Sequence, residues 1–418
     1  MVLADEGEHR AVPEALLSGS LRPRPAAASG ASPMTIFVPH ASDRLTDREA
    51  HGDGLIAYEI VSRLAGRGHR VFVASPRIEL HGPVPPTLHL QAIDTQVRET
   101  FLTRLRYMRE VRRYFERADA ESGVDIIHQL NPVFTGISLA LLDKARPVVL
   151  GSYVGYWPDE TDSRQALGKI RFPAATLFRN ALAGEQQRRA SALCLSTPAA
   201  ITRVVNRKRD AHKIELVPHG IDPSIYIDSA LAGQPAGDPT IVYVGGIERR
   251  KGIADLVRAF EVVAPAIPQA RLKIAGSGWY WGEIAALIER SQFQDRMTML
   301  GNVERRDLPG LLKSATVVCV PSLGEPFGMT LLEAMASARP VVVSDAGGPR
   351  DMVDAAGGIR FPCGDVERLA KALIDVLRSP HQRAMGLHNR EVVERRFAWD
   401  IVIDRLEAIY RALLVPAR

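Results

Sequence analysis

The chain has 418 residues, 46% of them apolar and 24% charged, with a formal net charge of +5. That length exceeds one ordinary core and predicts two domains of a globular protein. So small a charge over this length, with no recognised RNA or DNA module, argues against a nucleic-acid partner. No apolar run approaches the ~20 residues that cross a bilayer.

Residues 1–33 read as a disordered tail. From Ser18 to Pro33 the chain is rich in Ala, Ser, Pro and Arg and has no period, so it buries too little to offset its ordering entropy. No charged stretch followed by an apolar one opens the chain, and no secretory leader is expected. The folded part is expected to start with a strand at 35–39. A loop, His51-Gly52-Asp53-Gly54, then leads to a helix over 55–67, apolar at Leu55, Ile56, Ile60, Val61 and Leu64. Gly68-His69 ends it, and 70–74 is the next strand.

A helix over 101–121 carries Arg104, Arg106, Arg109, Arg112, Arg113 and Arg117. Such a helix can make weak peripheral contact with an anionic membrane surface, or can be an ordinary solvated face diluted by Glu110, Glu116, Asp119 and Glu121. Strands follow at 124–128, 147–150, 192–196 and 214–217. Tyr153, Tyr156 and Trp157, then Asp159, Glu160 and Asp162, form an aromatic and acidic loop after one of them. Aromatic faces beside carboxylates suit a polyhydroxy or amine-bearing small acceptor such as an aminocyclitol; an ordinary surface loop is the other reading. Residues 229–239, rich in Ala, Gly and Pro, are the best linker.

The second half repeats the alternation. A strand at 240–244 precedes Gly245-Gly246-Ile247-Glu248-Arg249-Arg250-Lys251-Gly252 and a helix over 253–264. Three adjacent cations between a strand and a helix would neutralise a diphosphate, although a solvated cationic turn has the same composition. A strand at 271–275 ends in Gly276-Ser277-Gly278, read as a close-approach loop beside a nucleotide. After 297–300 comes Gly301-Asn302-Val303, and a last helix is expected over 400–413. Strand, helix, strand in both halves predicts an α/β protein with parallel sheets covered on both faces. Cys194, Cys319 and Cys363 are far apart, without metal spacing, and point to a reducing, cytoplasmic setting. All three are expected to be packed.

The most informative stretch is Glu325-Pro326-Phe327-Gly328-Met329-Thr330-Leu331-Leu332-Glu333. It lies between an apolar run over 315–320 and a helix over 331–337. Glu325 falls on the loop, and Glu333 is expected about two turns inside the helix. The Gly328, Met329 and Thr330 amides would point outward at the positive end of the helix dipole, ready for an anion. A diphosphate with hydroxyls at both ends, a nucleotide sugar, suits this loop.

Pro321-Ser322, Glu325 to Gly328, Glu333-Ala334-Met335-Ala336 and Pro340-Val341-Val342 occur in order and resemble the donor site of the family-four retaining glycosyltransferases. The resemblance runs from about Met34 to Tyr410. It implies the GT-B fold: two facing Rossmann-like domains, with a C-terminal helix crossing back to the first. The expected division is an acceptor domain at 34–228, a linker at 229–239, a nucleotide-sugar domain at 240–396 and the returning helix within 397–418. It also implies that Glu325 holds the transferred sugar, Glu333 the ribose, and that Gly301 and Val303 face the base. Lys251 matches the family's lysine. Gly246 stands where an arginine is usual, so Arg250 or Arg249 would have to replace it. The opening loop at Gly52 and Asp53 resembles the acceptor side of the family. Family members commonly have a histidine two residues after an Asp-x-x-His sequence; here Asp125 to His128 is followed by Leu130 at that place. His128 itself is expected to end a strand and satisfy a core hydrogen bond.

The expectation is a metal-independent, cofactor-free retaining hexosyl- or N-acetylhexosaminyl-type transferase. It would move a sugar, from a UDP-sugar by preference, to a small acceptor in antibiotic or other natural-product biosynthesis. Alternatives are a cell-envelope or lipid-linked glycan transferase, a nucleotide-sugar epimerase or phosphorylase on the same fold, and a non-catalytic sugar-nucleotide-binding protein. Oligomeric state is not legible.

Overall fold

A computed structural model describes residues 32–48, 52–94, 101–130, 136–155, 173–226 and 237–415. Most of the expected tail, most of the expected linker, and Tyr156, Trp157, Asp159, Glu160 and Asp162 lie outside the described residues.

Two large parallel sheets divide the described residues, with a small two-stranded parallel sheet of Arg44–Thr46 and Arg77–Glu79 besides. The first contains β1 (Thr35–Val38), β2 (Arg70–Ser75), β3 (Leu88–Ala92), β4 (Ile126–Gln129), β5 (Val148–Tyr153), β6 (Ala192–Leu195) and β7 (Ile214–Leu216), ordered β3-β2-β1-β4-β5-β6-β7. Ile36 sits opposite Val71 on one side and Ile126 on the other. The second contains β8 (Thr240–Val244), β9 (Arg271–Ala275), β10 (Met297–Gly301), β11 (Val317–Val320), β12 (Val341–Ser344) and β13 (Gly358–Phe361), ordered β10-β9-β8-β11-β12-β13. These strands are short and rich in Val and Ile, as parallel strands covered on both faces must be. Ile36, Val71 and Ile126 face one core layer of the first sheet, and Phe37, Phe72 and Ile127 the other.

The strand order reverses between β1 and β4 in the first sheet and between β8 and β11 in the second. A crevice opens at such a point beyond the carboxyl ends of the strands, because the flanking connections run to opposite faces. Helix α1 (Asp53–Gly66) and Leu130, directly after β4, flank the first crevice. The turn before α3 (Ile253–Ala266) and the loop before α4 (Met329–Ala336) flank the second. Between α1 and β4 in sequence, α2 (Phe101–Ser122) packs Tyr107, Val111, Phe115 and Ala118 onto the first sheet.

The last helix, α5 (Trp399–Leu414), crosses back as expected. Val402, Ile403, Leu406, Ile409 and Tyr410 enter the core of the first sheet. Arg67 ties α1 to it through Asp400, Asp404 and Glu407. His128 Nε2 lies 2.6 Å from the Gly151 carbonyl, which can only accept, so Nδ1 accepts from the Tyr410 hydroxyl at 2.5 Å. Burial pushes the His128 pKa down to about 4 and keeps the ring neutral. The expected core histidine is therefore the one observed.

Three expectations need correction. Helix α4 starts at Met329, directly after Gly328, so Glu333 lies about one turn inside it rather than two. Helix α1 starts at Asp53, two residues early. Cys363 is exposed, whereas Cys194 and Cys319 are buried.

Candidate active site

The second crevice is built on backbone. Gly252 has φ +70, and a Cβ there would lie 2.0 Å from the Pro321 carbonyl oxygen. Only glycine lets the turn after β8 lie against the loop after β11. The Leu323 amide donates to the Arg250 carbonyl at 2.9 Å and locks that approach. Lys251 Nζ consequently reaches Glu325 Oε2 at 2.6 Å, with both side chains mostly buried. Gly328, at φ +101, caps α4 with no side chain in the cap. The Gly276 amide donates to the Gly301 carbonyl at 2.7 Å, and the Ile247 amide to the Ser277 carbonyl at 2.8 Å. The expected Gly246, Gly276 and Gly301 loops thus lie side by side, with Val303 two residues further on.

Glu333 is the least satisfied group in the crevice. Tyr226 Oη donates to its Oε1 at 3.2 Å, but Oε2 is buried without a hydrogen-bond partner. Burial raises its pKa from 4.5 to about 7, against the smaller opposing pull of the Tyr226 bond and Arg305. A buried, unpaired carboxylate oxygen costs folding free energy that a ligand hydroxyl would recover.

Arg250 does not join Lys251 at Glu325. Its Nε pairs with Glu248 Oε2 at 2.6 Å. Glu248 Oε1 stands 3.1 Å from where a Cβ on Gly246 would be, so this pair occupies the space beside Gly246. Arg250 and Lys251 diverge because the turn Arg249–Lys251 is a 3-10 helix, whose successive side chains point about 120° apart.

The first crevice holds a pocket lined by Asp53, Ile56, Ile60, Leu130, Ser152, Tyr153, Val154, Arg203 and His219. Asp53 and Tyr153 were expected on the acceptor side. Gly52 precedes α1 as its cap and is exposed. Tyr153 is buried, and its hydroxyl accepts from Gln187 Nε2 at 3.4 Å. Arg203 and His219 line the pocket but were not among the site residues expected from the sequence. His219 lies just beyond β7, where residues of parallel sheets meet ligands, and that position was the available signal. The two crevices touch. The His219 and Phe327 rings are 4.6 Å apart edge to face, and the Ala199 amide donates to Asp351 Oδ2 at 3.0 Å. Among the described residues no three His, Cys, Asp or Glu side chains converge to hold a metal. Among them, too, no helix is long and apolar enough to cross a membrane.

Two parallel-sheet domains facing across such a cleft, joined by a returning C-terminal helix, define a protein of the GT-B class. The profile described as Glycosyl transferases group 1 matches residues 228–391, and that described as Glycosyl transferase 4-like domain matches 52–220. The chain belongs to the family-four glycosyltransferases. It is 25% identical over 316 residues to the phosphatidyl-myo-inositol mannosyltransferase of Mycolicibacterium smegmatis, covering 75% of this chain and 77% of that one. It is 34% identical over 219 residues to the D-inositol 3-phosphate glycosyltransferase of Segniliparus rotundus, covering 49% and 48% of the two, so that match spans about half of each. Similar folds are sucrose-phosphate synthase from Thermosynechococcus elongatus and HepE of Anabaena, the latter solved with UDP. The TM-scores are 0.69 and 0.68, the identities 24% and 18%, with 92% and 91% of this chain covered and 99% and 100% of theirs.

Proposed function

We propose that the protein transfers a hexosyl-type sugar, with retention, from a nucleoside-diphosphate sugar to a hydroxyl of a small hydroxyl-rich ring. The observation that carries the donor side is Glu333 Oε2, a buried acceptor atom without a donor. Ribose hydroxyls supply the missing donors. The diphosphate then falls to the Gly328, Met329 and Thr330 amides at the start of α4, with Lys251 beside them. A lysine ammonium has three N–H donors, so Lys251 can keep Glu325 and still hold a phosphate oxygen. Glu325 accepts from hydroxyls of the transferred sugar.

In the same-face step the bond from the anomeric carbon to the phosphate oxygen breaks as that from the anomeric carbon to the acceptor oxygen forms. The acceptor's proton passes to the departing phosphate. Lys251 and the amides stabilise the charge that builds there, which is where electrostatic catalysis acts. No protein nucleophile, metal or cofactor takes part. The inositol-bearing acceptors in the names of the two relatives support a cyclitol in the first crevice. An amine on that ring would meet Asp53, which keeps an aminocyclitol within this reading. UDP as the nucleotide is supported by the HepE complex, and GDP by a relative from Corynebacterium glutamicum named as GDP-mannose-dependent.

A lipid-linked acceptor is the second reading. It is favoured by the first half of α2, where Leu102 and Leu105 are 74% and 44% exposed. Arg106, Arg109 and Arg113 are exposed on the same helix.

The test is nucleoside-diphosphate release from UDP-glucose, UDP-N-acetylglucosamine and GDP-mannose. Each is offered with myo-inositol, an aminocyclitol or phosphatidylinositol vesicles, and the product anomer is read by NMR. An α-linked product supports transfer. A new sugar nucleotide formed without acceptor would instead mean an epimerase, and binding without turnover a non-catalytic protein.

A further inference from the structure

His219 is a buried polar group that the proposed chemistry leaves unused. It is only 7% exposed, and its Nδ1 is buried with no hydrogen-bond partner. It follows β7 directly in the loop Val217-Pro218-His219-Gly220. That loop is held from behind: a Cβ on Gly220 would lie 2.3 Å from the Trp399 ring, so the turn packs flush on α5. In front, the imidazole lies edge-on to Phe327 at 4.6 Å, and Phe327 belongs to the same loop as Glu325. The ring also lines the pocket whose other walls include Asp53, Leu130, Ser152 and Arg203. Ser152 is already engaged, its Oγ donating to the Val217 carbonyl at 2.5 Å. Leu130, at the end of β4, offers the pocket only an apolar surface.

A buried imidazole nitrogen without a partner costs stability, and natural chains keep few such groups without a use. His219 joins the donor loop to the acceptor pocket, touching Phe327 on one side and lining the pocket on the other. We infer that His219 holds the attacking acceptor hydroxyl in this pocket through its unpartnered ring nitrogen, supplying from β7 the polar contact that Leu130 does not make from β4. The inference rests on the glycosyl-transfer reading and names one residue of its acceptor site. The role is to hold and orient. Burial keeps the ring neutral, with its pKa pushed down to about 4, so it is a poor proton acceptor near neutral pH. The hydroxyl proton therefore still goes to the departing phosphate.

Water serves as the acceptor probe, because it needs no knowledge of the natural acceptor. Sugar release from UDP-glucose or GDP-mannose is measured for the wild type, His219→Phe and His219→Asn. Titrations with UDP and GDP run alongside. Phenylalanine keeps the packing on Phe327 and removes the nitrogen; asparagine restores a polar atom near Nδ1. His219→Phe should slow release about tenfold or more, the usual cost of losing a contact that positions a reacting group, and nucleotide affinity should stay unchanged. His219→Asn should stay within about threefold of wild type on the same reasoning. Adding Leu130→His to His219→Phe should return part of the lost rate from the opposite wall, which a purely structural loss would not allow. Wild-type release by His219→Phe overturns the inference. So does an equal loss in both single variants with no recovery in the double variant, which would mark the ring as packing. Failure of the wild type to bind either nucleotide would strike the donor assignment instead.

Discussion

The two crevices sit at equivalent places, each where its strand order reverses, yet they are made of different material. The second is made largely of backbone: turns that press together through Gly252 and a helix start at Gly328, with the ion pair between Lys251 and Glu325 set between them. The first is made of side chains from separate segments: Asp53 on α1, Leu130 after β4, Ser152 on β5, Arg203 and His219. A backbone site suits a ligand part that every donor shares, the diphosphate and ribose. A side-chain site can change with each acceptor while the fold stays the same.

If labour divides in this way, damage to the second crevice should stop all transfer whatever the acceptor. The largest effect is expected at Glu325. Glu325→Gln should cut turnover by about two orders of magnitude or more, as loss of a transition-state contact does. Initial rates of nucleotide release with several acceptors check it, and wild-type rates with any of them would break the comparison. Next comes Lys251→Ala, which should weaken UDP or GDP by roughly 1.5–3 kcal/mol, the worth of a charge-assisted bond. Uridine or guanosine alone should bind as before. An equal loss for nucleoside and diphosphate, seen by titration calorimetry, would remove the lysine from the phosphate site.

Glu333 sharpens the contrast through pH. Its folded pKa is raised from 4.5 to about 7, so the folded chain keeps a proton that the unfolded chain releases in between. The associated stability is complete below pH 4.5 and is lost as pH rises through about 7. Glutamine does not titrate. Glu333→Gln should therefore flatten the fall in melting temperature from pH 5 to 8, and at pH 8 the variant should exceed the wild type by about 1–3 kcal/mol. The same variant should bind nucleotide more weakly. Parallel melting curves for the two chains would mean that the carboxylate pays no burial cost. The smallest effect concerns the joint between the halves. Arg67→Ala leaves Glu407, Asp404 and Asp400 without their shared cation and should lower stability by roughly 1–2 kcal/mol, read from urea unfolding. Nucleotide affinity should not change.

The same contrast explains what the sequence revealed. Glu325, Gly328 and Glu333 were legible because one strand, one loop and one helix hold them, and local spacing sets their positions. The start of α4 was misjudged because Gly328 in the left-handed region lets the helix begin at once, which took Met329 and Thr330 out of the loop. Arg250 looked equivalent to Lys251 as a neighbour in the chain, but a 3-10 turn aims the two at different carboxylates. His219 and Leu130 are 89 residues apart in the chain. No local period could have shown that they line one pocket: β7 is the edge strand, three places from β4, and it is the loop after it, packed on Trp399, that brings His219 to the crevice.

The central claim is that Glu333 receives the ribose of a nucleotide donor. It is tested most directly by calorimetric titration of the wild type and Glu333→Gln with UDP, 2′-deoxy-UDP and 3′-deoxy-UDP, and with the GDP series. The wild type should bind at least one deoxy form about tenfold or more weakly than the parent, as loss of a hydrogen bond to a charged group predicts, and Glu333→Gln should lose most of that preference. A preference for the full ribose that is as large in Glu333→Gln as in the wild type would contradict it.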